Sequence, residues 1–550
     1  MKVFLLHPDR DVEIKPELRD ELLRAMASGD LMAIVHARRD WERRHGDEQL
    51  PLPPVEDALA RDLELDTLWQ AMAAGDEFVY ETAKRVVLSS LHDGDEIAYR
   101  QAVLRDCLEN RDVVRRLYEL SVQALTSERS TISLWRGAGP DVVLRRSVQV
   151  LRLYMDVLRQ LRDVADEQAG GFRSAGFERF FRMLRDELSD EYVQTVSQRL
   201  DELEFKHGVL ESARLGKGDK GRDYVVRRPY EQRWTERLPF RNRGSSYGFT
   251  IPSRDENGFR ALEELRGRGI NGLANATARS ADHVKSFFGL LRLELAFYLG
   301  CLNLRERLDA KDEPTCMPTP AQPGGYELTA TSVYDVCLTF HLPDRVVGND
   351  LDADGRSLIM VTGANQGGKS TFLRSIGLAH LMMQAGMFVA AESFRADVTA
   401  GVLTHYKREE DATMTGGKLD EELRRMSEIA DAIAPGSILL CNESFASTNE
   451  REGSEIARQV IRAMLDMRIR VVFVTHMYDL AHGFYAQQLD TALFLRPERE
   501  EEGRRTFRLL EGEPLATSYG QDSYRRIFGG EPDAATPARR GRRATVVEGR

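Results

Sequence analysis

Residues 363–370 read Gly-Ala-Asn-Gln-Gly-Gly-Lys-Ser, a G-x-x-x-x-G-K-S stretch set between an apolar run and an amphipathic one. Few eight-residue patterns restrict a fold so tightly. Leu358-Ile359-Met360-Val361 reads as a short buried strand, and Thr371-Phe372-Leu373-Arg374-Ser375-Ile376 opens a helix. A glycine-rich turn from strand to helix points backbone N–H groups and a helix N-terminus at one spot, which attracts phosphate oxygens. In such a loop Lys369 reaches the β- and γ-phosphates, and the Ser370 hydroxyl ligates Mg²⁺. The expected cofactors are ATP and Mg²⁺.

A chain of 550 residues exceeds one ordinary core, so several domains are expected. With 42% hydrophobic and 30% charged residues, it has the composition of a globular protein. No run of about 18 apolar residues appears, so no membrane association is expected. The apolar stretch at Val3-Phe4-Leu5-Leu6 is too short for a secretory signal. Cys107, Cys301, Cys316, Cys337 and Cys441 are dispersed without C-x-x-C pairs. That pattern argues for reduced thiols in a cytoplasm and against zinc. A formal net charge of −11 gives no global sign of a polyanion partner, so any nucleic-acid contact needs a local basic surface.

Residues 1–56 read as a small N-terminal segment, Pro-punctuated at Pro51, Pro53 and Pro54. A mostly α-helical core or lever domain is expected over 57–310. Val148, Leu151, Met155, Leu158 and Leu161 form one helical stripe, and Val284, Phe288, Leu291, Leu295 and Leu302 a near-heptad seam over 283–307. Arg292 and Glu294 fall among the polar positions of that seam. Long struts and plain core packing both fit these stripes. A basic insertion covers about 211–250, where 214–243 holds ten Lys or Arg against four acids, with Tyr224, Tyr230, Trp234 and Phe240 interleaved. Arg222, Arg227, Arg228 and Arg233 are candidate DNA contacts there; a solvated loop face is the plain alternative. The Pro- and Gly-rich stretch 311–330 reads as a linker. Strand-like runs then alternate with helices over 331–530, which predicts an α/β sheet with parallel pairs. The last residues, 531–550, read as a disordered basic tail.

Ile438-Leu439-Leu440-Cys441 is a buried strand ending at Asn442-Glu443. In a P-loop ATPase an acid at such a strand end helps hold Mg²⁺, and a neighbouring carboxylate polarises the attacking water. Glu443 is the natural base, while Asn442 offers the metal only a neutral amide oxygen. Val471-Val472-Phe473-Val474 leads to Thr475-His476, where the imidazole is placed to sense the γ-phosphate. Between them, Thr413-Met414-Thr415-Gly416-Gly417-Lys418 precedes a helix whose buried stripe is expected at Leu419, Leu423, Met426 and Ile433. That helix start is suited to an anion, such as nucleotide held by a second subunit. An ordinary capped helix is the alternative.

In these motifs the chain resembles the MutS family of DNA mismatch-repair ATPases. Gly363-Ala364-Asn365-Gln366-Gly367-Gly368-Lys369-Ser370-Thr371 is similar to that family's G-P-N-x-G-G-K-S-T. Asn349-Asp350 matches its N-D near the nucleotide base, Thr475-His476 its T-H, and Ser518-Tyr519-Gly520 its late S-Y-G. Glu443-Ser444-Phe445-Ala446-Ser447-Thr448 stands where the family has an acidic pair followed by L-G-R-G-T, and Asp62-Leu63-Glu64-Leu65 resembles the N-L-E-L that opens its core. The resemblance implies a C-terminal ABC-type P-loop ATPase behind a helical lever, with Mg-ATP bound at a head-to-tail homodimer interface and coupled to DNA. It carries phosphate binding to Gly363 through Thr371, the metal to Ser370, catalysis to Glu443 and a switch to His476.

Departures shape the expectation. Mismatch sensors of the family carry a Phe-x-Glu wedge, and no Phe here is followed two places later by Glu. Binding of branched, bent or distorted DNA by shape is therefore expected over base-level mismatch reading. Asn442 predicts slow turnover. Two other classes stay open: a slow nucleotide-gated scaffold for a protein partner, and an ABC-type ATPase without a DNA role.

Overall fold

The computed structural model describes residues 1–9, 55–132, 139–206, 208–228, 250–363, 367–408, 417–499 and 505–515. Residues 51–54, 413–416, 518–520 and 531–550, together with Ala364, Asn365, Gln366 and Arg233, lie outside them.

The helical part runs through α1 (Glu56–Asp62), α2 (Leu65–Ala73), α3 (Glu77–Leu88), α4 (Gly94–Glu109), α5 (Arg111–Ile132), α6 (Pro140–Gln168), α7 (Ala175–Glu187) and α8 (Asp190–Leu203). Short polar residues start several of them. Asp76 accepts from the Phe78 and Val79 N–H groups ahead of α3, and Ser174 accepts from Phe177 ahead of α7. Each cap satisfies donors that a helix start leaves free, at about 1 kcal/mol apiece. Pro140 opens α6, where its missing N–H costs nothing. An antiparallel hairpin, β1 (Leu210–Leu215) and β2 (Gly221–Arg227), leads to α9 (Glu256–Asp309).

At 54 residues α9 is about 80 Å long, at ~1.5 Å per residue. The helix expected over 283–307 is only its inner half. There Phe288, Leu291, Leu295 and Leu302 are buried against α2, α3, α5 and α6. An 18-residue window of α9 is apolar enough to cross a membrane, but 78% of it is buried inside the protein. Glu294 departs from its expected polar position. It is 2% exposed and accepts the N–H groups of Leu5 at 2.6 Å and Leu6 at 3.0 Å. Residues 1–9 are thus threaded into the helical core. Tyr298 donates to the Leu5 carbonyl, Tyr99 to that of Phe4 and Arg179 to that of Pro8. A buried carboxylate is tolerated because its partners are the segment's own N–H groups.

The sheet part begins inside the stretch expected as a linker. β3 (Thr319–Ala321) and β4 (Leu328–Val333) join β7 (Ser393–Asp397) and β5 (Asn349–Asp352) in the order β3-β7-β4-β5. Pro320 is tolerated because β3 is an edge strand. α10 (Val336–Thr339) follows, capped by Asp335. The main sheet has the order β12-β11-β6-β10-β9-β8. Its strands are β6 (Leu358–Val361), β8 (Val402–Tyr406), β9 (Ile438–Asn442), β10 (Arg470–Val474), β11 (Ala492–Arg499) and β12 (Arg505–Glu511). All pairs are parallel except the edge pair β11–β12. Side chains alternate between two faces. Ile359, Val361, Leu440 and Val472 join the large core shared with α11 (Lys369–Gln384) and the helical part. Leu358, Met360, Leu439 and Phe473 join a second core under α12 (Lys418–Ala432), α13 (Glu450–Asp466) and α14 (Tyr478–Tyr485).

α11 is the junction. A Cβ on Gly377 would lie 2.6 Å from Leu440 Cδ1 and 3.0 Å from Leu63 Cδ2, so sheet and helical part both press on its backbone. At its far end Leu91 N–H donates to Gln384 O at 2.8 Å, and Gln384 Nε2 returns a bond to Leu91 O at 3.0 Å. Arg100, fully buried, donates to the carbonyls of Leu6 and Ala385.

Candidate functional site

The loop after β6 turns on two glycines in left-handed backbone, Gly363 (φ 118°) and Gly368 (φ 84°). A side chain at Gly363 would meet Pro497 Cδ at 2.8 Å, and one at Gly368 would meet the Phe507 carbonyl oxygen at 3.3 Å. The β11–β12 hairpin therefore roofs the loop. Asn349 pins it there: Leu509 N–H donates to Asn349 Oδ1 at 2.7 Å, and Asn349 Nδ2 donates to Phe507 O at 3.3 Å. Asp350 instead accepts from Ser332 N–H in the smaller sheet.

Lys369 is 5% exposed, and its Nζ donates to Gly363 O at 2.6 Å. Burial lowers its pKa, and Glu443, with Oε1 3.9 Å away, opposes that shift. Ser370 Oγ donates to Asn442 Oδ1 at 3.0 Å, which brings the two expected metal ligands together. The topology explains why: β10 lies between β6 and β9, so the ends of all three strands converge on one side of the loop. Glu443 follows β9 with a left-handed φ of 54° and is tied by its N–H to Val474 O. Its Oε2 accepts from His476 Nδ1, and that bond raises the histidine pKa. Thr475 Oγ1 accepts the Met477 N–H and shapes the turn that carries His476.

A second layer holds Glu443 in place. Ser444 Oγ lies 2.7 Å from both the carbonyl oxygen and the Nδ1 of His405, and the His405 ring stacks on Phe445. His405 Nε2 donates to the Glu422 carbonyl at 3.0 Å, which makes Nδ1, beside Ser444 Oγ, the acceptor of a neutral ring. Burial pushes its pKa down to about 4. Of the stripe expected on α12, Met426 and Ile433 are buried and Leu419 partly so, and Leu423 alone departs from it. Glu422, Arg425, Met426 and Ile429 are buried and Leu423 is exposed, because Ser447 donates to Glu422 and Arg425 donates to Tyr406 O. Sequence reading passed over Arg374 as well. One turn into α11, it pairs with Glu64 of the helical part and with fully buried Asp335.

Far from this site, the hairpin carries the candidate DNA arginines. Arg222 is exposed beside Asp223, Arg227 donates to Ser212 Oγ at 2.9 Å, and Arg228 pairs with Glu202.

Two left-handed glycines, a buried lysine beside Glu443, and a hydroxyl 3.0 Å from an amide oxygen together fit a metal-bound triphosphate. Fold and site define a mixed α/β protein with a phosphate-binding loop between strand and helix. Residues 359–524 match the family model "MutS domain V", and residues 92–311 match "MutS2 N-terminal domain". The chain belongs to the MutS family. It is 33% identical over 181 residues to the DNA mismatch repair protein MutS of Porphyromonas gingivalis, covering 32% of this chain and 20% of that protein. The MutS of Chloroflexus aurantiacus is 30% identical over 144 residues, 25% of this chain and 15% of that one. The endonuclease MutS2 of Thermus thermophilus is 28% identical over 153 residues, 27% and 20% respectively. These alignments thus cover at most about a fifth of each relative's own length.

Proposed function

We propose that the protein is an ABC-type, DNA-dependent ATPase that couples Mg-ATP bound at a head-to-tail homodimer interface to branched, bent or mismatched DNA, in repair or recombination. The meeting of Lys369, Ser370, Asn442, Glu443 and His476 at the ends of three neighbouring strands carries this reading. Gly363 through Thr371 cradle the phosphates, and Lys369 exchanges the Gly363 carbonyl for phosphate oxygens. Ser370 and Asn442 would hold Mg²⁺, which neutralises charge on the β- and γ-phosphates. Glu443 takes the proton of the attacking water. The new bond joins that water's oxygen to the γ-phosphorus, and the bond from phosphorus to the β–γ bridging oxygen breaks. ADP, inorganic phosphate and a proton result. His476 must first release Glu443, which makes it a switch. A neutral amide at Asn442 binds the metal less firmly than a carboxylate, so turnover is slow. α11 passes the nucleotide state to α9, and the hairpin arginines meet the DNA backbone. Reduced buried thiols suit a cytoplasmic site of action.

The test is ATP turnover with and without intact duplex, mismatched and branched DNA. Turnover that DNA stimulates, that salt suppresses and that Glu443→Ala abolishes supports the reading. Turnover indifferent to every DNA, with nucleotide-dependent capture of a protein partner, overturns it.

A further inference from the structure

β2 packs against α9 near the end of α8, and the three elements enclose a pocket of about 530 Å³. Small-molecule sites run from about 300 to 1,000 Å³. The wall on α9 is nearly bare, with Gly269, Gly272 and Ala276 along it, and the side chains of Tyr224 and Phe205 line the pocket as well.

The two glycines differ. A Cβ on Gly269 would run into the Glu211 carboxylate, so close packing excludes a side chain there. A Cβ on Gly272 would meet nothing within 4 Å. Glycine inside a helix costs about 1 kcal/mol against alanine, and at Gly272 no neighbouring atom accounts for that cost. The space above it belongs to the pocket. The rest of the lining is cationic. Arg199, Arg227 and Arg228 stand there with one acid, Glu202. Glu202 accepts from Arg199 at 3.1 Å and also from Arg228, while Arg227 donates to Ser212 Oγ at 2.9 Å. One carboxylate among three guanidinium groups leaves positive charge in excess. Aromatic rings, open apolar space and spare positive charge suit a flat aromatic group joined to phosphate.

We propose that this pocket takes an unpaired base of distorted DNA, held against its aromatic side chains while Arg227 and Arg228 meet the flanking phosphates. The inference rests on the DNA reading above and deepens it. It gives distorted DNA a feature that intact duplex lacks, a base free to leave the stack. Every base has a π-face, so the pocket selects unpaired over paired and not one base over another.

Affinity of the full chain for three DNAs, read by fluorescence anisotropy across a range of salt, tests it. They are an intact duplex, the same duplex with one bulged nucleotide, and that bulge with its base removed as an abasic site. The bulged base should raise affinity about tenfold over the abasic bulge, within the range of one base–aromatic stack. Gly272→Leu fills the open space, and should remove that preference while duplex affinity and its salt slope stay level. Gly272→Ala should retain most of the preference. Ala276→Leu fills the same wall one turn further along α9 and should repeat the Gly272→Leu result, with urea unfolding confirming that each variant folds. The inference falls if the native chain binds both bulges equally, if the folded leucine variants still prefer the base, or if they lose intact duplex to the same extent. Binding to none of the three DNAs removes the DNA reading, and this inference with it.

Discussion

At the carboxyl end of the main sheet, Lys369 is buried, Glu443 is held by His476 and backed by Ser444 and His405, and Ser370 is fixed on Asn442. On the β1–β2 hairpin, Arg222 and Arg227 stand in water with a neighbouring acid and a serine as partners. The first region fixes directions, as a reaction at one phosphorus atom requires. The second fixes only charge, and long side chains in solvent suit a polyanion whose sequence is not read. Stability follows the same division, since surface pairs contribute little and buried ones are costly to break.

Variants at the two ends should therefore differ in kind. Lys369→Ala should lower kcat for ATP by about 10²–10³-fold, the loss typical of one preorganised charge-stabilising donor; a loss below fivefold in steady-state assays breaks the contrast. Arg374→Met leaves Asp335 buried without its cation, and should destabilise the fold by about 3–5 kcal/mol in urea unfolding. Gly377→Val forces a side chain against Leu440 and Leu63 and should cost about 1–3 kcal/mol by the same measurement.

The His476–Glu443 bond sharpens the comparison through pH. The folded pKa of His476 is raised above its ordinary 6.5, so the pair's stabilisation is whole below pH 6.5 and fades as pH rises through the raised value. Release of Glu443 follows the same titration. ATP turnover should climb across that window, and the climb should vanish in His476→Gln, as read from a kcat–pH profile. The smallest effect belongs to the hairpin. Arg222→Ala with Arg227→Ala should leave unfolding unchanged and flatten the slope of log affinity for DNA against log salt by about 2.

How much of this was legible in the sequence depended on distance along the chain. The phosphate loop, the strand ending at Glu443 and the strand leading to His476 are local patterns, and the structure brings all three together. The seam of α9 was equally plain, because Phe288, Leu291, Leu295 and Leu302 repeat at helical spacing. Arg374 was not readable, since Glu64 lies 310 positions away and a lone arginine in an amphipathic run looks like a solvated one. Glu294 misled for the same reason: its partners are backbone N–H groups 288 and 289 residues earlier. Prolines and glycines over 311–330 suggested a connector, yet β3 needs only three residues to pair along the sheet edge, and β4 begins at Leu328 once those breakers are passed. The match of 92–311 to a MutS2-type domain had no short motif to announce it.

α11 gives the molecule a stiff connecting rod. Its first residue, Lys369, reaches back to the Gly363 carbonyl of the loop, and its last exchanges hydrogen bonds with Leu91, about 24 Å away at ~1.5 Å per residue. With Leu440 and Leu63 pressing on Gly377 at mid-length, the rod has no slack to absorb a push. Whatever displaces the loop by an ångström is felt at the base of the helical arm without waiting for any loop to rearrange.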